Sequence, residues 1–460
     1  MNGVFQPRPE GPVPSSMDDA NPNVEHRNGY HSNSDTSPPP STCTPPYRRT
    51  VQTIIESVDS DSISFRPSSD EPGVHPYEDP KLTILSDKTR IALNSAAELL
   101  KEGQCVAFPT ETVYGLGADA TCTSAVRGIY AAKSRPADNP LIVHIASLKQ
   151  LRRLLPKPFS AAALPSPTVE EPTEETIPAV YLPLIEKFWP GPLTILLPLP
   201  NPSPLSPNVT SVQPTFAARM PRHPIALALS AISGLPLAAP SANASGKPSP
   251  TKAAHVYTDL QGKIPLIIDG GSANVGLEST VVDGLRYPPV VLRPGGISAE
   301  EIRACGGVWQ DVVVAKKDAD DNEAPRAPGM KYKHYSPRAG VVLYDVGAAP
   351  PNGKDLMISA NYVSRVGIVR TRTWQKGFAE RELKRCMEHS QGEQKHVEIF
   401  EESLGSDGKD IGRGLFAVLR ELDEKGVDVI HVEGIDEKDE GLAVMNRLGK
   451  AASVVVRKVT

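Results

Sequence analysis

Residues 108–145 read F-P-T-E-T-V-Y-G-L-G-A-D-A-T-C-T-S-A-V-R-G-I-Y-A-A-K-S-R-P-A-D-N-P-L-I-V-H-I and contain the pattern that decides the fold. A short apolar strand from Gln104 to Phe108 leads into this stretch, and its hydroxyl- and glycine-rich part precedes a helix that Ser124 is placed to cap. Pro136 ends the helix, and a second strand follows from Leu141 to Ile145. Strands that alternate with helices are typical of an α/β fold.

Two cations stand where this helix ends. Lys133 and Arg135 lie two residues apart, and Asn139 and His144 follow within the next ten residues. Fixed cations at a turn between a helix and a strand suit an anionic ligand that is held by geometry. They could also complement the negative end of the helix. This segment alone leaves both interpretations open.

The glycines of this stretch resemble a dinucleotide-binding fingerprint. Gly115-Leu-Gly117-Ala-Asp-Ala120 fits the pattern G-x-G-x-x-G/A. The fingerprint requires the glycines directly after a strand and a strand that ends in an acid about twenty residues later. Here six residues intervene, and the later region holds Lys133 and Arg135 instead. We therefore do not predict a dinucleotide site of this type.

Net charge, cysteine spacing and the length of apolar runs limit the classes of protein to which this sequence could belong. The formal net charge is −5 and the pI is about 6.1, which argues against strong binding of nucleic acid by bulk electrostatics. Five scattered cysteines form no C-x-x-C pair and show no zinc-ligand spacing, so we expect a reduced, cytoplasmic protein without a metal site of its own. No apolar run approaches the roughly 18 residues of a membrane span.

Composition shifts along the chain predict four parts. Residues 1–80 are rich in proline and polar residues, so we predict a disordered N-terminal extension. Residues 83–315 are predicted to form an α/β domain on a mixed sheet, interrupted by a loop insertion at 156–178 that is rich in Pro, Ser, Glu and Thr. A linker at 316–338 precedes a smaller, Rossmann-like parallel α/β domain at 339–460.

Hydroxyl groups and cations recur at the predicted strand boundaries. Arg219 and Arg293 end strands, Ser241-Ala-Asn243 follows an apolar strand, and Ser279 begins another. The sequence contains neither a G-x-S-x-G nucleophile elbow nor a phosphate loop of the G-x-x-x-x-G-K-[ST] type. Together these residues predict a site for a polyanion and a small polar molecule, without a covalent nucleophile.

Seven motifs, taken in order, resemble those of the L-threonylcarbamoyladenylate (threonylcarbamoyl-AMP) synthases, a YrdC-like family. They are F-P-T-E-T-V-Y-G-L-G, K-S-R-P-A-D-N-P-L-I-V-H, F-W-P-G-P-L-T, A-A-R-M-P-R-H-P, A-P-S-A-N-A-S-G-K-P-S-P-T, E-S-T-V-V-D and L-R-P-G-G-I. The linker P-G-M-K-Y-K-H-Y-S-P and the last domain resemble the longer, two-domain form of this family. The resemblance runs from about Thr83 to the C-terminus and leaves out the extension and the insertion.

The resemblance implies a nucleotidyltransferase that makes threonylcarbamoyl-AMP, pyrophosphate and water from L-threonine, bicarbonate or CO2, and ATP. It implies Mg2+ bound with ATP, and a product that passes to the tRNA threonylcarbamoyl-transfer machinery for t6A at position 37 of tRNAs that read ANN codons. An RNA-binding module of the same fold without this activity is the alternative. Carbamoyl transfer of the hydrogenase-maturation type would need an acylphosphatase-like domain and zinc-finger cysteines, which the sequence lacks.

The same resemblance assigns the site residues. It implies catalytic roles for Lys133 and Arg135. The residues it places around threonine are Thr112, His144, Arg219, Ser241 and Ser279, and those it places around ATP are Arg135, Asn139, Thr215, Asn243, Thr251, Arg293 and Tyr335. Either Tyr332 or Tyr335 could be the linker ring that reaches ATP. The basic and aromatic side chains of the linker could bind RNA. We expect instead that the segment folds over the ATP site as a lid.

Overall fold

The computed structural model describes residues 51–67, 73–156, 177–211, 213–315, 334–357, 363–388 and 396–458. The first 50 residues of the predicted extension, nearly all of the predicted insertion and the linker up to residue 333, Tyr332 included, lie outside these ranges. The described residues belong to one compact unit that contains two large sheets.

Thirteen strands precede the linker in the described residues. They are β1 (Ile54–Ser57), β2 (Ile63–Arg66), β3 (Lys81–Ile84), β4 (Val106–Phe108), β5 (Gly115–Asp119), β6 (Ile142–His144), β7 (Leu193–Pro198), β8 (Thr215–Arg219), β9 (Leu237–Ala238), β10 (Leu266–Asp269), β11 (Thr280–Asp283), β12 (Val290–Arg293) and β13 (Val313–Val314). Strands β2 and β3 form a separate hairpin, and the other eleven form one sheet in the order β1-β10-β4-β5-β9-β6-β8-β7-β11-β12-β13. This sheet contains both parallel and antiparallel pairs of neighbouring strands, which confirms the predicted mixed sheet.

Eight α-helices cover the two faces of this sheet. They are α1 (Asp87–Lys101), α2 (Thr123–Lys133), α3 (Leu148–Arg152), α4 (Leu182–Phe188), α5 (Pro207–Thr210), α6 (Pro224–Ser233), α7 (Ala253–Leu260) and α8 (Ala299–Arg303). Short 3-10 turns stand at Ser60–Ser62, Ala179–Tyr181 and Gly307–Asp311. Helices α1 and α6 bury one apolar cluster, whereas α2, α4 and α7 bury a larger one. Among the described residues, no helix is long and apolar enough to span a bilayer.

Helix caps explain several of these boundaries. The Ser86 hydroxyl accepts a hydrogen bond from the Thr89 amide at the start of α1, and Ser298 and Glu301 form a capping box at the start of α8. The predicted cap at Ser124 is wrong. Ser124 lies inside α2, which begins one residue earlier after Cys122.

The G-x-G segment is a strand rather than a loop. Gly115–Asp119 form β5, which runs antiparallel to β4. A Cβ atom on Gly117 would lie 2.5 Å from the Phe108 ring, closer than van der Waals contact allows. The glycine therefore lets the neighbouring strand carry a large ring, and its role is in sheet packing.

The C-terminal part forms a second sheet with five strands and four helices. Its elements are β14 (Gly340–Tyr344), α9 (Gly353–Leu356), β15 (Val363–Arg370), α10 (Phe378–Glu388), β16 (His396–Ser403), α11 (Gly408–Glu424), β17 (Val429–Glu433), α12 (Glu440–Ala451) and β18 (Val454–Val456). The order is β16-β15-β17-β14-β18, and every pair is parallel. The predicted smaller parallel α/β domain is confirmed.

The prediction of disorder up to residue 80 is wrong for its last third. Strand β1 pairs in parallel with β10 at the edge of the large sheet, and the Thr53 hydroxyl donates to the Ile264 carbonyl at 2.6 Å. Val58 and Ile63 are buried against α1 and α6. The sequence did not predict these elements because the segment has a polar composition. An edge strand can have such a composition, since it needs to bury little of its own surface when its backbone hydrogen bonds are made.

This correction predicts the effect of two truncations. A chain that starts at residue 51 keeps β1 and β2, whereas one that starts at Pro80 loses them together with two buried apolar side chains. At about 1.5–3 kcal/mol for each such side chain, the shorter chain should lose roughly 3–6 kcal/mol of unfolding free energy and melt at least about 5 °C lower.

Differential scanning calorimetry of both chains, with the full-length protein as the control, measures this. Equal melting temperatures for all three would contradict a structural role for β1 and β2.

Candidate active site

A single cavity collects the polar residues of the signature motifs. It spans about 740 Å³ of space over the large sheet, part of which is open to solvent. Ile142 and His144 both line it, and side chains two apart on a strand share one face. The cavity therefore lies across the face of the sheet.

The end of α2 supplies two of the cations. Ser134 adopts a left-handed conformation (φ 52°, ψ 45°) after the last helical residue, and this turn brings Lys133 and Arg135 to the same cavity. Lys133 is fully buried and its Nζ donates to the carbonyls of Ser241 and Asn243. Burial, followed by the charge of Arg135, holds the pKa of Lys133 well below its usual value.

Arg135 is held by the turn that follows it. Its Nε donates to the Asn139 carbonyl at 3.3 Å, and its Nη2 donates to the Pro140 carbonyl at 3.1 Å. Burial lowers the pKa of Arg135 to about 10. Both cations of this turn thus hydrogen-bond to neutral carbonyl groups.

Backbone hydrogen bonds join the loop that contains Ser241 and Asn243 to the first motif. The Leu116 amide donates to the Pro240 carbonyl, and the Ala242 amide donates to the Tyr114 carbonyl, both at 2.8 Å. Ser241 and Asn243 line the cavity beside Lys133. Two motifs more than a hundred residues apart are thereby fixed against each other.

Arg219 and His144 lie at the ends of two neighbouring parallel strands. They are directly opposite in the register of β6 and β8. Arg219 donates to the Thr112 hydroxyl at 2.9 Å and to the Gly191 carbonyl at 3.1 Å, and it forms a buried ion pair of 2.7 Å with Glu111. Burial, followed by the Arg219 charge, lowers the pKa of His144 to about 3. His144 is therefore neutral at physiological pH.

Ser279 and Arg293 close another side of the cavity. Arg293 donates to the Ser279 carbonyl through Nε at 3.2 Å and through Nη2 at 2.9 Å, and Nη2 also reaches the Ser279 hydroxyl at 3.1 Å. The hydroxyls of Ser279 and Thr194 lie 2.8 Å apart. This network fixes both side chains before any ligand binds.

Tyr335 of the linker lines the cavity next to Glu278. Its ring stacks on Phe416 of α11 with centroids 5.2 Å apart, and its φ is 65°. Burial, followed by the Glu278 charge, raises the pKa of Tyr335 to about 12. The described end of the linker therefore forms part of the cavity wall.

The structure brings ten of the predicted site residues together at this cavity: Thr112, Lys133, Arg135, His144, Arg219, Ser241, Asn243, Ser279, Arg293 and Tyr335. Asn139, Thr215 and Thr251 lie outside its lining. Thr215 opens β8 at the end opposite to Arg219, and Thr251 is buried with its hydroxyl unpaired. Their contact with a ligand stays a prediction.

Positive charge predominates in the cavity lining. Among the described residues, the lining contains five cationic side chains, those of Lys133, Arg135, Arg219, Lys247 and Arg293, and one carboxylate, that of Glu278. Arg219 and Lys247 pair with carboxylates outside the lining, those of Glu111 and Asp259. The Glu278 carboxylate already accepts hydrogen bonds from Ser249 at 2.6 Å and from Arg447 at 3.0 Å. The described residues contain no group of three His, Cys, Asp or Glu side chains that could hold a metal ion. The cavity suits an anion larger than a single carboxylate.

Two family models match the chain in succession. The Sua5_yciO_yrdC model, described as "Telomere recombination", matches residues 98–295, and the model of the threonylcarbamoyl-AMP synthase C-terminal domain matches residues 297–453. The chain is 54% identical over 413 residues to a threonylcarbamoyl-AMP synthase of Schizosaccharomyces pombe, covering 88% of this chain and 98% of that protein. The chain belongs to the threonylcarbamoyl-AMP synthase family.

Further relatives agree with this membership. A threonylcarbamoyl-AMP synthase of Bacillus subtilis is 45% identical over 359 residues, covering 78% of this chain and 92% of that protein. The crystal structure of Pyrococcus abyssi Sua5 complexed with L-threonine superposes with a TM-score of 0.64 at 38% identity, covering 88% of this chain and all of that one. The resemblance found in the motifs, the two-domain form and the expectation of an enzyme are confirmed.

Sequence reasoning gave no role to several residues that hold this synthase-family site together. Glu111 and Glu278 precede the predicted site residues Thr112 and Ser279 in the sequence, so the motifs indicated that both glutamates lie near the site. Arg420 and Arg447 carry no such signal, because they lie in the C-terminal domain and pair with Asp259 and Glu278, 161 and 169 residues away.

The neutral state of His144 predicts a pH dependence of stability. Its folded pKa of about 3 lies below the ordinary value of about 6.5. Below pH 6.5 the unfolded chain therefore binds the extra proton, and stability falls as pH falls. Between pH 7.5 and 5.5 this histidine should contribute a loss of about 1.4 kcal/mol.

Urea unfolding of the wild type and of His144→Gln at the two pH values checks this. Between pH 7.5 and 5.5 the unfolding free energy of His144→Gln should fall by about 1.4 kcal/mol less than that of the wild type. His396→Gln is the control, because His396 is exposed. An identical pH dependence in wild type and His144→Gln would contradict the buried neutral imidazole.

Proposed function

We propose that this chain makes threonylcarbamoyl-AMP and pyrophosphate from L-threonine, bicarbonate or CO2, and ATP, with one water released when bicarbonate is the carbon source. The observation that carries the proposal is the cationic lining of the cavity, where the buried side chains of Lys133 and Arg135 donate to neutral carbonyl groups. Family membership and the threonine complex of the Pyrococcus abyssi relative support the choice of substrates.

The chemistry explains why so many cations are needed. The amine of threonine and CO2 form a carbamate, whose oxygen attacks the α-phosphorus of ATP while pyrophosphate leaves. Carbamate and α-phosphate are both anionic, and two unit charges 4 Å apart repel by about 4 kcal/mol at an effective dielectric constant of 20. Lys133 and Arg135, side by side on one turn, are suited to lower that repulsion for both partners.

The threonine end of the site is proposed to be the group around Arg219. Its guanidinium, oriented by Glu111, suits the α-carboxylate. The hydroxyls of Thr112, Ser241 and Ser279 and the neutral His144 suit the polar groups of threonine. A neutral imidazole adds no positive charge next to the amine, which must lose its proton before it reacts.

The ATP end is proposed to be the group around Arg293, with Arg135, Asn243 and Tyr335. Asn139, Thr215 and Thr251 remain predicted contacts for the nucleotide. Mg2+ would enter with ATP as part of the substrate. Since the carboxylate of the lining is already engaged by Arg447 and Ser249, phosphate oxygens and water would supply the ligands of the ion.

The product is proposed to feed the t6A modification of tRNA through a separate transfer machinery, and the cytoplasmic location stays a prediction. The alternative is an RNA-binding module of the same fold. Salt-dependent binding of bare RNA without threonine-dependent turnover of ATP would favour that alternative.

Pyrophosphate release should require all three substrates. We expect release with ATP, bicarbonate and L-threonine, and only background release when threonine or bicarbonate is left out or when serine replaces threonine. A coupled pyrophosphatase assay measures this. Equal release without threonine would contradict the proposed reaction.

The two cations of the α2 turn should be essential for turnover. Lys133→Ala and Arg135→Ala should each lower kcat/KM by on the order of 10²-fold or more, because each removes a charge partner of the transition state. Arg127→Ala is the matched control, since Arg127 is exposed on the same helix. If the activity of the first two variants lies within a factor of a few of that control, other residues must carry the catalysis.

A further inference from the structure

Two buried arginines of the C-terminal domain reach into the loops of the catalytic domain. Arg420 of α11 donates to the Pro248 carbonyl and to the Asp259 carboxylate, the latter at 2.8 Å. Arg447 of α12 donates to the Glu278 carboxylate at 3.0 Å and to the Pro294 carbonyl. Both side chains are nearly inaccessible to water. Their partners lie beside residues that line the cavity.

Arg447 contacts three parts of the cavity wall at once. Glu278 and Pro294 adjoin Ser279 and Arg293 in the chain, and the guanidinium carbon lies 5.8 Å from the centre of the Tyr335 ring. A planar fork of five donors can make these contacts together, whereas an ammonium group cannot. One side chain of the C-terminal domain thus joins the end of β12, the start of β11 and the linker.

Glu278 is better suited to hold charge than to accept a proton. Burial alone would raise its pKa, but the charges of Arg447 and Arg293 and the Ser249 hydroxyl hold the pKa below its usual value. A carboxylate that is so well solvated by donors is a weak base. Because Glu278 lines the cavity and accepts a hydrogen bond from Arg447, it links Arg447 to the cavity.

Tyr335 needs such external support. Its backbone lies in the left-handed region (φ 65°), which is unfavourable for a residue with a side chain. Phe416 stacks against one side of the ring, and Arg447 and Glu278 adjoin it. The next amide, that of Ser336, donates to the Gly246 carbonyl at 2.8 Å. The ring therefore depends on both domains for its position.

The threonine side of the cavity is fixed without Arg447. Thr194 and Arg293 hold the Ser279 hydroxyl, and Glu111 holds Arg219. All five of these residues belong to the catalytic domain. Removing the fork of Arg447 should therefore disturb the nucleotide side much more than the threonine side.

We propose that Arg447 is a positioning residue for ATP, which acts from the C-terminal domain through Glu278 and Tyr335. The inference rests on the proposed function for the identity of the nucleotide. The C-terminal domain then contributes to nucleotide affinity, although it touches no reacting atom.

The test uses full-length Arg447→Lys, which keeps the charge and removes the fork. Arg365→Lys is the matched control, because Arg365 is half exposed on β15 and pairs with Glu398. We expect the KM for ATP to rise at least tenfold in Arg447→Lys, with the KM for threonine within twofold of the control and kcat much less affected. Direct titration of ATP by calorimetry should give the same loss of affinity.

Three further results decide the matter. If Arg447→Lys does not fold, Glu278→Gln takes its place, and it should raise the KM for ATP by a similar factor. If both fold, the double variant should be no worse than the more affected single variant, because the two residues act through one contact. An ATP affinity within twofold of the control, or equal losses for ATP and threonine, would overturn the proposal.

The outcome is separable from the proposed reaction. A wild-type chain that binds ATP but shows no threonine-dependent release of pyrophosphate would sink the proposed function alone. The calorimetric comparison of Arg447→Lys with Arg365→Lys would still support or overturn the role of Arg447.

Discussion

Buried positive charge that the protein itself leaves unneutralised is the constraint on which this site depends. Lys133 and Arg135 donate to backbone carbonyls, which satisfy their hydrogen bonds without cancelling their charge. Burying a cation in this way is unfavourable, and the lowered pKa of Lys133 expresses that cost. An anionic ligand reverses it, so the same residues that destabilise the empty site strengthen substrate binding.

The hydrogen bonds that keep the charge in place also assemble the site. Lys133 draws the Ser241 and Asn243 carbonyls to the end of α2, and the Tyr114 carbonyl holds the same loop from the other side. Electrostatics and geometry are therefore inseparable here. A substitution of Lys133 removes a charge partner and loosens a loop that carries two other predicted ligand contacts, which is why its effect on turnover should exceed that of either loss alone.

The sequence predicted what local pattern determines. The turn after α2, the strands around it and the parallel C-terminal domain follow from apolar spacing, caps and proline positions. Strand β1 was missed because Ile54 and Ile55 stay exposed at a sheet edge, and β5 was missed because glycines weaken a strand signal while Phe108 requires one of them. Motif resemblance named ten residues that line one cavity in the structure, whereas the partners that orient them depend on contacts between distant segments.

Arg420 and Arg447 raise the question of why a domain interface uses buried ion pairs. The desolvation of two charges can exceed their attraction, so such pairs are weak evidence for stability. Apolar side chains could hold two domains together, but they tolerate sliding. A forked guanidinium that must bind one carboxylate and one carbonyl group does not tolerate such sliding. Because the carboxylates of Asp259 and Glu278 adjoin the cavity loops, the register of the two domains and the shape of the nucleotide side are set by the same contacts.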